Sequence, residues 1–165
     1  MRSILLFAAV FFTCIMTNAQ NYTRDAGVRI GDYISASCRQ FSSEDEALEG
    51  ILFIGRQGFT FSIMKEHFEP ALGNISDNLF VQYGYGAHIG LRRTDHYQVL
   101  NRTYRLEDET ITPLLGVDGL IGIEYRFPEF PFLIGFDFKP YFEFSTIQVF
   151  SIYLQSFGMS IKYRF

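Results

Sequence analysis

The chain has no tryptophan and only two cysteines in 165 residues. Cys14 sits in a leading apolar stretch of the kind that is removed on export, which leaves Cys38 as the single remaining cysteine. No internal disulfide can then form, and a small exported domain must find its stability elsewhere. Past Ala19 no apolar run approaches the ~18 residues of a membrane-spanning helix. Basic residues are also in deficit, with 14 Lys and Arg against 18 Asp and Glu and a net charge of −4. A nucleic-acid binder carries a basic face, so that class of partner is excluded.

What is present is aromatic and small: 19 Phe, 10 Tyr and 14 Gly. The first residues fit a secretory signal peptide. Arg2 provides the positive start, Ile4 to Phe12 the apolar stretch, and Thr17-Asn18-Ala19 the small residues a signal peptidase reads. Cleavage is expected after Ala19, leaving residues 20–165 as a single domain. Phe11-Phe12-Thr13 is a poor match to the small-residue box that lipidation at Cys14 would need.

The remainder alternates with period two, the mark of strands with one apolar and one polar side. Phe132, Ile134, Phe136, Phe138, Phe142 and Phe144, with Pro140 in register, oppose Gly135, Asp137, Lys139, Tyr141 and Glu143. Leu115 to Phe127 repeats the pattern, and Pro128-Glu129-Phe130-Pro131 between them reads as a tight turn. Leu79 to Leu91, Phe59 to Ile63, Ile34 to Arg39, Ala26 to Ile30 and Phe157 to Phe165 alternate likewise. Ala47 to Gln57 is apolar on both faces, so its register stays open.

These are eight candidate strands, most of them long enough for the ~9–11 tilted residues of a bilayer crossing. The expectation is an all-β, eight-stranded, antiparallel up-and-down transmembrane barrel. An even number puts both termini on one side, expected to be periplasmic. Ser42 to Glu46, Pro70 to Asn78 and Pro128 to Pro131 then join the termini. Gly31-Asp32, Gln57-Gly58, Ser145 to Tyr153 and a long loop from Arg93 to Ile111 lie at the other end.

Alternation alone does not separate a membrane barrel from a soluble, lipocalin-like carrier, which turns its apolar face inward. Two features favour lipid. The polar face is rich in glycine (Gly84, Gly86, Gly90, Gly116, Gly122, Gly135 and Gly158), as the narrow interior of eight strands requires. It also carries charges of both signs that can pair inside a lumen: Arg29, Arg39, Asp118, Glu124, Arg126, Asp137, Lys139, Glu143, Lys162 and Arg164, joined by His88. Such a lumen is too narrow and charged for a large pore. Tyr83, Tyr85, Tyr125 and Tyr163 are placed to form an interfacial girdle.

The ending Ile161-Lys162-Tyr163-Arg164-Phe165 alternates and closes on phenylalanine. With Gly84 to Gly90, Gly116 to Tyr125 and Asp137-Phe138-Lys139-Pro140, it makes the chain resemble the small outer-membrane β-barrel proteins of the OmpA-transmembrane and OmpX type, an outer-membrane protein β-barrel domain family. The resemblance covers nearly all of residues 20–165. It implies the outer membrane of a Gram-negative bacterium, contact with membrane lipid and lipopolysaccharide, and a monomeric barrel. It further implies that Tyr163 and Phe165 are read by the barrel-insertion machinery. No agreed activity comes with it.

Chemistry is sparse. His88 with an acid and a serine would suit an outer-membrane acyl hydrolase, but no neighbouring serine in sequence looks activated, and a hydrogen bond inside the lumen accounts for it. Glu66-His67 and Asp95-His96 lack metal-site spacing and read as solvated or interfacial. Arg92, Arg93, Arg102 and Arg105 could meet lipopolysaccharide phosphates, yet Asp95, Glu107, Asp108 and Glu109 share the loop, so a solvated mixed-charge loop is expected. No cofactor, metal or catalytic residue is expected. The function expected is structural or surface-presenting; the alternatives are a lipid-modifying acyl hydrolase and a soluble carrier.

Overall fold

A computed structural model describes residues 23–56, 58–71, 78–99, 102–146, 150–154 and 156–165, without the side chains of 94–110. The expected signal peptide, residues 1–19, lies outside the described residues. The described segments are β1 (Arg24–Ile30), β2 (Ile34–Phe41), β3 (Glu46–Gly55), β4 (Gly58–Pro70), β5 (Leu79–Val99), β6 (Arg102–Arg126), β7 (Phe132–Phe138), β8 (Tyr141–Ser145), β9 (Ser151–Tyr153) and β10 (Phe157–Arg164). β7 and β8 are two halves of one wall strand, and β9 and β10 are two halves of the next. The wall is therefore an eight-stranded, closed, antiparallel barrel.

Each strand pairs with its neighbours in sequence, and the barrel closes where β1 pairs antiparallel with β10, Val28 opposite Ile161. Arg24 and Phe165 complete the seam by exchanging backbone hydrogen bonds of 3.1 and 2.9 Å, so the two described ends of the chain meet at one rim. Closure removes the sheet edge along this β1–β10 seam.

Alternation sets the faces. Along β10 the exposed residues are Phe157, Met159, Ile161 and Tyr163, while Gly158, Ser160 and Lys162 are buried. β3, open from sequence, takes its register from its neighbours: Gly50 opposes Cys38 and Ile63. Ala47, Glu49 and Ile51 turn inward, and Leu48 and Ile54 outward. Phe132, Phe136, Phe142 and Phe144 are 44%, 48%, 41% and 49% exposed, so the phenylalanine row of the β7–β8 strand faces outward.

The fourth strand, whose alternation is clear only from Phe59 to Ile63, runs to Pro70, where the expected connection begins, because its backbone keeps pairing with β5 after polar residues take over the outer face. Two sequence expectations need correction. Residues 93–99 and 102–111 are not a loop: β5 and β6 continue as a paired hairpin to Val99 opposite Arg102, with a register shift between Thr94 and His96. Charges at both odd and even positions of the sequence hid this ladder, whose bonds are made by backbone. Finally, Pro140 interrupts its strand, since it has no N–H to give. The gap is bridged by Gly119 donating to the Pro140 carbonyl and Lys139 to the Ser156 carbonyl, both at 2.8 Å, while Ser151–Tyr153 forms a strand in place of a loop.

The turns are tight. Gly58, at the β3–β4 turn, has φ +135°, and a Cβ there would meet the Leu91 carbonyl oxygen at 1.8 Å. Only glycine fits. In the β2–β3 turn the Ser43 hydroxyl donates to Asp45 at 2.7 Å and holds that carboxyl below the ordinary aspartate range.

Candidate functional site

The lumen holds two charged clusters separated by an apolar layer. At the rim where the chain ends meet, Arg39 from β2 is the hub, with 0% of its side chain exposed. Its Nε donates to Asp25 Oδ2 at 2.9 Å, Nη1 to Glu66 Oε2 at 3.1 Å and Nη2 to Glu124 Oε2 at 2.6 Å. The planar fork of an arginine is the group that can serve three carboxylates at once. Arg126 donates from Nε to the other Glu124 oxygen at 2.7 Å. Lys162 pairs with Glu49 beside them.

The same guanidiniums lie over aromatic faces. Arg39 is 5.1 Å from the Phe41 ring centroid and 4.8 Å from that of Phe68, and Arg126 lies 4.0 Å above Phe80. Cation–π attraction adds to the ion pairs, and the rings keep water from the carboxylates. Above this cluster Ile51, Met64 and Leu120 pack together across the lumen as a buried apolar layer. Glycine makes room for them: a Cβ on Gly86 would meet Met64 Sδ at 2.5 Å.

The second cluster faces the opposite rim. His88 Nδ1 lies 3.0 Å from Asp118 and Nε2 3.7 Å from Glu143, so the ring sits between two carboxylates. Lys139 reaches Asp118 at 3.1 Å and donates to Ser62 Oγ at 3.2 Å. Arg92 meets both Glu143 oxygens at 2.7 and 2.8 Å, and Arg29 meets Asp137 at 2.6 Å. Tyr141 stands edge-on to His88 at 5.4 Å. Gly116 is required beneath the imidazole, where a Cβ would meet His88 Cε1 at 2.3 Å. A cavity of about 100 Å³ opens over this cluster, with Tyr33, Phe53 and Phe59 at its sides.

The residues singled out from sequence fall on both clusters. Arg39, Glu124, Arg126 and Lys162 meet at the first; Arg29, His88, Asp118, Asp137, Lys139 and Glu143 gather at the second. Arg164 stands at the rim, opposite Asp25 in the β1–β10 register, with its N–H bonded to the Pro131 carbonyl at 2.7 Å. Tyr163 points outward and its ring stacks on that of Phe165 at 6.3 Å.

Sequence reading missed Asp25, Glu49, Glu66 and Arg92. Asp25 precedes the first residue assigned to its strand, and Glu49 lies in the strand of open register. Glu66, read as solvated, is fully buried, while its neighbour His67 faces outward beside Glu46 at 3.4 Å. Arg92, which follows His88 and Gly90 on the polar face of its strand but reads as lying beside the solvated loop, is a lumen residue paired with Glu143. The side chains of Asp95, His96, Arg102, Arg105, Glu107, Asp108 and Glu109 lie outside the described residues.

Ser62 is the cross-strand neighbour of His88, which gives the histidine a serine that sequence spacing did not. The serine oxygen, however, is bound by Lys139, and both imidazole nitrogens face acids. A nucleophile needs a base with a nitrogen turned to it. Among the described residues no group of three or more His, Cys, Asp or Glu is disposed to hold a metal ion.

In polarity the barrel is inverted relative to a water-soluble one, with ion pairs enclosed and apolar side chains on the outside. Compared with known protein families, curated proteins and solved structures, the chain matches no family model, no curated protein and no solved structure.

Proposed function

We propose that the chain is an integral outer-membrane barrel without enzymatic activity. Its lumen is closed by ion pairs, and its wall carries the β5–β6 hairpin to the surface. The observation that carries this reading is the exposed apolar face. Ile30, Ile34, Ile89, Leu115, Ile121, Phe157, Met159 and Ile161 are each more than half exposed, on neighbouring strands around the wall. Soluble monomers rarely leave contiguous apolar patches beyond a few hundred Å² open to water. In lipid the same surface is the favourable one, and a closed barrel satisfies every wall backbone group.

The filled lumen supports a structural role over a channel. Water meets the apolar layer of Ile51, Met64 and Leu120 between the clusters. The terminal Ile161-Lys162-Tyr163-Arg164-Phe165 supports the outer membrane as the location and the insertion machinery as a partner. Fractionation tests the reading. Expressed with its leader in a Gram-negative host, the protein is expected in the outer-membrane fraction, resistant to carbonate, and extracted by detergent as a compact species whose gel mobility shifts on boiling. Recovery from the periplasm without detergent overturns it in favour of a soluble carrier.

A further inference from the structure

The outward apolar face is not equally tall around the barrel. A strand tilted ~40° climbs about 2.5 Å per residue, so an outer hydrocarbon thickness of ~25 Å takes about ten residues of apolar-out alternation. β6 has it, with outward Ile111, Leu115, Val117, Ile121 and Ile123. The β7–β8 strand has it too, from Phe132 to Phe144, while on β5, where the two halves of the wall meet, Tyr83 and Tyr85 take the outer face below Ala87, Ile89 and Leu91.

The other half of the wall does not. β1 is 7 residues long and β2 is 8, and on the outward register their apolar positions run only from Ala26, itself covered by its neighbours, to Ile30 and from Ile34 to Cys38. On β4 they run from Phe59 to Ile63 before Lys65, His67 and Glu69 take the outer face. Each of these belts is ~10 Å tall, and Leu48 to Ile54 on β3 is ~15 Å. These four strands are contiguous in the sheet, so the deficit occupies one side.

Polar groups mark the shortfall. Outward Lys65 lies 3.3 Å from Glu46, His67 stacks on Tyr83 at 5.5 Å, and the Tyr83 hydroxyl donates to Glu69 at 2.9 Å. Gln40 and Arg24 pair at the foot of β1 and β2. The girdle climbs with them: Tyr83 and Tyr85 lie further from the chain-end rim than Leu79, the cross-strand partner of Tyr125.

We infer that the β1–β4 wall is a membrane-thinning face, against which phospholipid headgroups are drawn toward the bilayer centre to meet Lys65, Glu46 and His67. The inference rests on the membrane reading above. Tilting the whole barrel cannot replace it, because tilt raises one side relative to the other without lengthening the short belt. The occupant is lipid because the charges on this face are mixed in sign, as zwitterionic headgroups require, and ride on long or aromatic side chains able to reach an interface.

The absence of tryptophan gives a clean experiment. Taking the strand tilt into account, Lys65 stands level with Phe136 on the tall wall to within a few ångströms. Lys65→Trp and Phe136→Trp are made separately, and each protein is reconstituted in phosphatidylcholine vesicles brominated either near the headgroup or near the chain end. A flat bilayer places both reporters at one depth. The inference expects Phe136→Trp to be quenched severalfold more by deep bromines and Lys65→Trp by shallow ones, with iodide reaching only the latter. His67→Trp, also outward, repeats the reading should Lys65→Trp not fold.

Equal, deep quenching of both overturns the inference and leaves the membrane reading intact. Deep quenching of Phe136→Trp with Lys65→Trp shielded from lipid and iodide alike overturns it in favour of a second protein on the short wall. If bromines quench neither reporter, the membrane reading itself has failed.

Discussion

The two ends of the lumen solve the problem of enclosed charge differently. At the chain-end rim one arginine holds three carboxylates with no part of its side chain exposed. At the other rim the groups form a chain, Lys139 to Asp118 to His88 to Glu143 to Arg92, beside a separate Arg29–Asp137 pair, and Arg92 remains 31% exposed beside the cavity. A buried charge that loses its partner costs far more than an exposed one, because water cannot replace the partner. The first cluster is therefore expected to secure the barrel and the second to tolerate change.

Substitution separates the two. Arg39→Met strands Asp25 and Glu66 and leaves Glu124 to Arg126 alone, and is expected to cost the most, ~3–5 kcal/mol, read as a lowered denaturant midpoint in detergent or vesicles. Arg39→Lys recovers little of this, since an ammonium lacks the fork. Lys162→Met strands only Glu49 and should fall at the lower end, about 3 kcal/mol. Across the apolar layer, Gly116→Ala forces a Cβ against the imidazole and the Phe142 carbonyl, both at 2.3 Å, and is expected to cost ~1–3 kcal/mol. Arg92→Met is the mildest, about 1 kcal/mol, because Arg92 is itself partly exposed and the Glu143 it leaves behind keeps His88 at 3.7 Å. An Arg92→Met loss equal to that of Arg39→Met would erase the distinction between the two ends.

The same contrast governs what could be read in the sequence. Wherever apolar and polar residues alternate cleanly, as from Phe132 to Phe138, the strand and its inward face follow from the order of residues. Inward charges on such strands, Asp118, Asp137 and Lys162 among them, could be named before their partners were known. Glu49 and Glu66 could not. One lies where both faces are apolar, and the other where both faces are polar because the outer face has left the apolar belt. Alternation reports a difference between environments, and it falls silent where the two environments look alike. The β5–β6 hairpin was missed for that reason, its ladder running on through charges of both signs. Which carboxylate meets which guanidinium depends on register around the whole barrel, as when Arg39 reaches Glu124 across 85 positions of sequence.

The central claim is that hydrocarbon covers the outside of this barrel while its ions are sealed within. Carbene labelling from a photoactivated reagent dissolved in the lipid phase, read by peptide mapping of the reconstituted protein, tests it most directly. Adducts on Val117, Ile121, Phe132 and Phe136, and none on Arg39, Glu66 or Asp118, are the predicted result. Adducts confined to the lumen residues, or an outer face left unlabelled, would contradict it.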